Sequence, residues 1–251
     1  VNTEGYKKIN KITIMKLSKD GHSFASQEKI NLDCDCLAIA GGWTPAVHLF
    51  TQSGGKLKFR EKDQVFIPDI YPSDQISIGS SNGDFELDDI IKNSIKSLKK
   101  FLNIKDTEFD NLEINCPKDN EIRNIWLLPS NKVLGKTKPF VDYQNDATAK
   151  DIKLALREGF RSIEHVKRYT TTGMGTDQGK LGNMHALGII AETAGVKMGE
   201  LGTTTFRPPY TPLTFGTIVG RNVGEYFDAF RRTPMNDWHI ENKAEFENVG
   251  Q

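Results

Sequence analysis

The sequence is poor in cysteine, with only Cys34, Cys36 and Cys116 among 251 residues. An odd and sparse set fits a reducing compartment better than a disulfide-stapled secreted scaffold, so the cytoplasm is the expected location. No apolar run approaches the roughly 18 residues of a membrane span, and the first residues lack the basic, apolar and small-residue order of a signal peptide. Excess charge is missing as well. Lys plus Arg and Asp plus Glu number 33 each, so no net field draws the chain to nucleic acid, an anionic membrane or a strongly charged substrate. No Gly-x-Gly-x-x-Gly follows a strand, which leaves this stretch without the dinucleotide cradle that such a motif builds. No acid-base or nucleophile constellation stands out, and there is no internal repeat or low-complexity tract. The chain opens at Val1 without Met, and Phe246 to Gln251 stop without an evident domain end, so a piece of a longer polypeptide is expected.

What is present is patterned apolar sequence, 37% of the chain, enough for one large or two modest cores. Residues 11 to 17 alternate as a half-buried strand, and Asp35 to Gly42 form a short apolar run closed by glycines, also read as sheet. A short strand, Gln75 to Ile78, leads into Gly79-Ser-Ser-Asn-Gly83. Leu87, Ile90, Ile91, Ile95, Leu98, Phe101 and Leu102 then recur at helical spacing. Strand, glycine turn and helix in that order can bring backbone amides up to a phosphate, although most such units bind nothing. Residues 103 to 139 are polar and irregular, apart from an apolar patch at Ile125 to Leu128, and mark a domain boundary. Thr148 with Asp151 has the form of a capping box opening a helix that ends near Gly159. A second helix starts near Ser162, carries Ile163, Val166 and Tyr169, and breaks into the glycine-rich turn Thr170 to Gly175. A third runs from about Leu181 to Thr193 and is closed by Gly195. Arg207-Pro-Pro-Tyr-Thr-Pro212 cannot continue a helix and reads as an extended linker into a further domain.

Phe140 to Ile152, followed by Glu158-Gly-Phe-Arg-Ser-Ile-Glu-His-Val-Lys-Arg-Tyr-Thr-Thr-Thr-Gly-Met-Gly-Thr-Asp-Gln-Gly-Lys180, resembles the middle domain of sarcosine oxidase alpha subunits. Upstream, Ala40 to His48 resembles the close of that family's NAD-binding, disulfide-reductase-like domain. Downstream, Arg232 to His239 resembles the opening of its folate-binding, aminomethyltransferase-like domain. The implied fold class is α/β plus a small all-α middle domain. Residues 1–103 are then the tail of the NAD-binding domain, 104–139 a linker, 140–202 the helical domain, and 203–251 a linker with the start of the folate domain. The resemblance implies a flavoprotein that oxidises the N-methyl group of sarcosine to give glycine, peroxide and formaldehyde or methylene-tetrahydrofolate. It further implies NAD and tetrahydrofolate in the full-length subunit, FMN shared at a subunit interface, FAD on the beta partner, and beta, gamma and delta subunits as companions. On that scheme no catalytic residue for the amine lies in this chain.

The same helical scaffold in relatives resembling bacterioferritin-associated ferredoxin holds a 2Fe-2S cluster on four cysteines. The corresponding places here hold Asp142, Gln144, Asp177 and Gly182, so no cluster is expected, because such clusters need thiolates. Lys167, Arg168, Thr170, Thr171, Thr172, Gly173, Gly175 and Lys180 are the candidate contribution to FMN, since cations, hydroxyls and open amides on a glycine turn suit a phosphate. Against this stand a solvated helix face for Lys167 and Arg168 and a plain tight turn for Gly173 and Gly175. Gly41, Gly42 and Gly79 carry the same two readings, backbone approach to a cofactor or simple turn. Cys34 and Cys36, two apart on a strand, share a face but lack further ligands for a metal. His48 and His165 lack a Cys or His at ligand spacing and are read as structural. Two rival functions remain at this point: a subunit of a related amine, proline or opine dehydrogenase, and a silent scaffold that docks flavoproteins.

Overall fold

In a computed structural model, residues 2–39, 41–72, 74–105, 114, 116, 124–130, 132, 134–227 and 231–247 are described. The chain divides into two compact units, Val1–Thr211 and Pro212–Gln251. The first opens with a three-stranded antiparallel sheet of β1 (Asn2–Glu4), β2 (Lys11–Ile14) and β3 (Ile30–Asp33), in which Ile12 faces Thr3 on one side and Leu32 on the other. The strand expected over 11 to 17 therefore ends at Ile14, and Leu17 makes only an isolated bridge to Phe24.

The strand expected at Asp35 to Gly42 is not formed in its described residues, and Ala40 lies outside them. The Cys34 N–H turns to the carbonyl of Asn10 just past β3, and Ile39 is 81% exposed with no strand to pair it. Cys34 and Cys36 thus sit in irregular chain, and neither they nor Cys116 form a disulfide. Gln75 to Ile78 is likewise irregular. The sheet nearby is instead a hairpin that the sequence pattern hides, β4 (Lys56–Arg60) and β5 (Val65–Ile70), preceded by α1 (His48–Gln52). Pro68 lies inside β5 opposite Leu57, beside a register shift at Lys56/Leu57, a place where a two-stranded edge tolerates a residue that cannot donate.

A 3-10 turn over Gly79–Asn82 leads to α2 (Leu87–Leu102), with the predicted bounds. Asp88 and Asp89 in its first turn and Lys99 and Lys100 in its last complement the helix dipole. Much of the expected linker, including most of Asn115 to Asn120, falls outside the described residues. Its apolar patch does not: Trp126 and Leu127 pack against the helical core, and a Cβ on Gly188 would overlap the Trp126 indole.

That core is built on a two-stranded ribbon, β6 (Phe140–Asp142) and β7 (Ala147–Thr148), followed by α3 (Ala149–Arg157), α4 (Ile163–Thr170), α5 (Asn183–Ala194) and α6 (Met198–Leu201). The capping box holds, with the Asp151 carboxylate accepting from both the N–H and the hydroxyl of Thr148. Ile152, Ala155 and Leu156 of α3, Val166 of α4 and Ala186, Ile189 and Ile190 of α5 form one buried cluster. Residues 186 to 191 of α5 are all buried, as a helix surrounded on every side requires. Each fully buried isoleucine here is worth about 1.5–3 kcal/mol of transfer free energy. A second cluster, Phe66 with Leu187, Ala191 and Met198, ties the hairpin to α5 and α6. The second unit contains α7 (Phe215–Val219), a 3-10 stretch at Arg221–Phe227 and α8 (Asn236–Glu241). Among the described residues no helix is long and apolar enough to cross a membrane.

Candidate functional site

The glycine turn after α4 is held from below by β6. Asp142 is 6% exposed, and one of its carboxylate oxygens accepts the N–H groups of Gln144 and Asn145, both at 2.9 Å. The other accepts the N–H of Gly173 at 2.7 Å. Gln144 extends the clasp by accepting from the Asp177 N–H and donating to the Thr176 hydroxyl at 3.0 Å. Gly182 lies so close to the Val141 carbonyl that a Cβ would overlap it. Asp142, Gln144 and Asp177 thus serve as hydrogen-bonding groups that shape the turn. Among the described residues no group of three His, Cys, Asp or Glu side chains is placed to hold a metal ion.

The candidate phosphate contacts divide once their partners are traced. The Thr170 hydroxyl donates to the Val166 carbonyl and pairs with the Thr172 hydroxyl at 2.8 Å, both residues being buried. The Thr171 hydroxyl donates to the Thr170 carbonyl, and the Gly173 amide is taken by Asp142. Gly173 has φ +72, and its α-carbon faces the Asn183 side chain; Gly175 has no room for a Cβ because Gln144 occupies it. Arg168 folds back on Glu164 at 3.3 Å, one turn earlier on α4. Lys167, half-buried on the same last turn, is left as the cation of that group. Gly41 and Gly42 are exposed with open space around them, whereas Gly79 is buried with Ile90 beside it.

Lys180 stands apart from Lys167 and Arg168 in its contacts. Its ammonium lies 4.4 Å from the centre of the Tyr210 ring and donates to the Tyr210 carbonyl. It anchors a strap, residues 203 to 210, that is stitched across the turn. The Gln178 side chain accepts the Arg207 N–H and donates to the Arg207 carbonyl, both at 2.8 Å, and donates also to the Pro209 carbonyl at 3.2 Å. Asn183 at the start of α5 donates to the Thr204 hydroxyl at 3.3 Å. Under the strap lies His48, its ring 4.0 Å from Phe206 and 5.5 Å from Tyr210. Burial and the nearby Lys180 charge push the His48 imidazole down to about 4, so it is neutral at pH 7. Gln178, Asn183, Phe206 and Tyr210 carry no motif that singles them out in sequence. His165, also read as structural, is exposed on α4.

Residues 136–221, which include the turn and the strap, match the family model of the sarcosine oxidase A3 domain. Sarcosine oxidase subunit alpha of Corynebacterium sp. (strain P-1) is 37% identical over 234 residues, 89% of this chain and 24% of that protein. The namesake from Rhizobium meliloti (strain 1021) is 36% identical over 227 residues, 86% of this chain and 22% of that protein. The chain is a relative of sarcosine oxidase alpha subunits. It spans about a quarter of the length of these curated relatives. Of the residues under the strap, His48 lies outside the A3 match while Lys180 and Tyr210 lie inside it. The solved structure of L-proline dehydrogenase from P. horikoshii has a similar fold, with a TM-score of 0.59 at 18% identity, covering 88% of this chain and 44% of that one.

Proposed function

We propose that the chain is part of the alpha subunit of a sarcosine oxidase, a multi-subunit flavoprotein that demethylates sarcosine to glycine with release of peroxide. The methyl carbon leaves as formaldehyde or as methylene-tetrahydrofolate. The observation that carries this reading is 37% identity to a sarcosine oxidase alpha subunit across 89% of the chain. On this proposal the amine is oxidised at FAD on the beta subunit, NAD and folate belong to other parts of the alpha subunit, and gamma and delta subunits complete the assembly.

FMN at the interface would supply electron transfer from the reduced FAD to dioxygen. The residues present fit a single charge contact to such a group and not a cradle of amides. The Gly173 amide and the Thr170 and Thr171 hydroxyls are engaged within the turn, and the carboxylate of Asp142 directly behind Gly173 opposes an anion there. What the chain does toward the cofactor is therefore to hold a rigid turn and to present Lys167 on its rim. Arg168 is drawn to Glu164 and Lys180 to Tyr210, while Gly41, Gly42 and Gly79 keep the reading of backbone approach to a cofactor.

Co-expression of the complete alpha subunit with its partner subunits tests the proposal through substrate-dependent peroxide release and extracted flavin. Peroxide formed with sarcosine, and FAD and FMN recovered together, is the expected result. Turnover of proline in place of sarcosine would move the assignment to a proline dehydrogenase, and absence of any flavin would leave a docking scaffold. Lys167→Met is expected to lower the FMN-to-FAD ratio of the assembly, and an unchanged ratio would remove Lys167 from the site.

A further inference from the structure

Within the first unit, a partly open cavity of about 50 Å³ is lined by His48 at the start of α1, by Lys180 and Met184 around the start of α5, and by Thr204 and Phe206 of the strap. One water needs about 10–15 Å³ of such space, so the cavity suits roughly three to five waters or one molecule of three or four heavy atoms. Three of its features share a sign. Lys180 lines the cavity, and its ammonium, held on Tyr210, lies near enough for its charge to act on His48. The first turn of α5, a helix of 12 residues, brings the positive end of a helix dipole, although the Asn183 amide is already taken by the Gly179 carbonyl. No aspartate or glutamate lines the cavity.

His48 supplies an independent sign that a partner belongs there. It is only 8% exposed, yet its Nδ1 has no hydrogen-bond partner. Buried polar nitrogens are nearly always satisfied, and an exception calls for a bound group. The Lys180 charge beside the imidazole disfavours a cation, and the volume favours a ligand of few heavy atoms.

We propose that this cavity is a binding site for a small monocarboxylate of formate size, with Lys180 as its countercharge and His48 as a hydrogen-bond donor. The proposal rests on the cavity alone and does not depend on the amine-oxidising assignment. Phe206 brings the strap into the lining of the site, and Tyr210 holds Lys180 in place.

The test is an NMR titration of the protein, isotope-labelled at histidine, with sodium formate against sodium chloride at matched ionic strength. An anion placed beside the imidazole favours its charged form, so the His48 pKa is expected to rise from about 4, by about one unit. The His48 signals should move saturably, while His22, His165, His185 and His239 stay put. Lys180→Met should abolish saturation with the other histidine signals unchanged, and Lys180→Arg should retain it. A His48 signal that does not move until the other histidines move would overturn the proposal. So would equal displacement by chloride, or saturation that survives in the methionine variant.

Discussion

Replacing Asp142 by alanine tests whether the glycine turn is shaped by one carboxylate. The side chain accepts three backbone N–H groups, from Gln144, Asn145 and Gly173, at 2.9, 2.9 and 2.7 Å, and it is 6% exposed. Hydrogen bonds to a charged acceptor are worth about 1.5–3 kcal/mol each, and a buried donor left unpaired costs about 1–3 kcal/mol. The Gln144 and Asn145 amides lie nearer the surface and recover water, whereas Gly173 is buried. The sum for Asp142→Ala is therefore about 3–5 kcal/mol. For a domain of this size, 1 kcal/mol moves Tm by about 2–4 °C, so the drop is about 6–20 °C. Asp142→Asn keeps one acceptor oxygen and should lose about 1–2 kcal/mol. Urea unfolding followed by circular dichroism gives the energies, and hydrogen exchange at Gly173 gives the local effect. An alanine variant within 1 kcal/mol of the parent, or a Gly173 amide that exchanges at the parent rate, would refute the clasp.

Other consequences are open to direct measurement. Gly188→Ala would push a methyl into the Trp126 indole, so a destabilisation of about 1–3 kcal/mol with altered tryptophan fluorescence is expected; a neutral result would detach Trp126 from α5. Ile190→Ala, at a fully buried position, should cost about 2–5 kcal/mol in urea unfolding. His48 has a folded pKa of about 4, below its unfolded value, so the unfolded state takes up the proton first. Stability should be unaffected above the unfolded value, near pH 6.5, and decline as pH falls from there to about 4. The decline should be about 2 kcal/mol, less than the full shift implies because solvent screens the Lys180 charge, and His48→Gln should flatten it. Gln178→Ala should speed hydrogen exchange at the Arg207 amide by about tenfold, the equivalent of one hydrogen bond, while global unfolding changes little.

How far the sequence reaches is seen at individual residues. The helices α2, α3 and α4 were legible because their signals are local: apolar spacing over Leu87 to Leu102, a capping box three residues wide, and Ser162 just before an apolar run. The hairpin β4–β5 was not, since Pro68 interrupts the very run, Val65 to Ile70, that would have announced it. The run at Asp35 to Gly42 failed in the opposite sense. Its apolar composition suits a strand, but a strand needs a neighbour to accept its hydrogen bonds, and among the described residues none is paired with it. The Trp126 patch looked like a break in a linker because its partner, Gly188, lies far along the chain and carries no side chain to mark the contact.

The glycine turn shows why residue types alone mislead about sites. Hydroxyls, glycines and lysines in the order Lys167 to Lys180 suit an anion only if their donors are free. Asp142, more than two dozen residues earlier, takes the Gly173 amide, and Gln144 takes that of Asp177. Gln178 then spends its amide group on the backbone of Arg207 and Pro209, 29 and 31 residues on. A backbone carbonyl has the same signature at every position, so no sequence pattern could reveal such a strap. Its consequence is chemical: Tyr210, drawn over the turn, holds Lys180 near enough to His48 for its charge to be felt there, so Lys180 and Lys167 are separate cations to be tested separately.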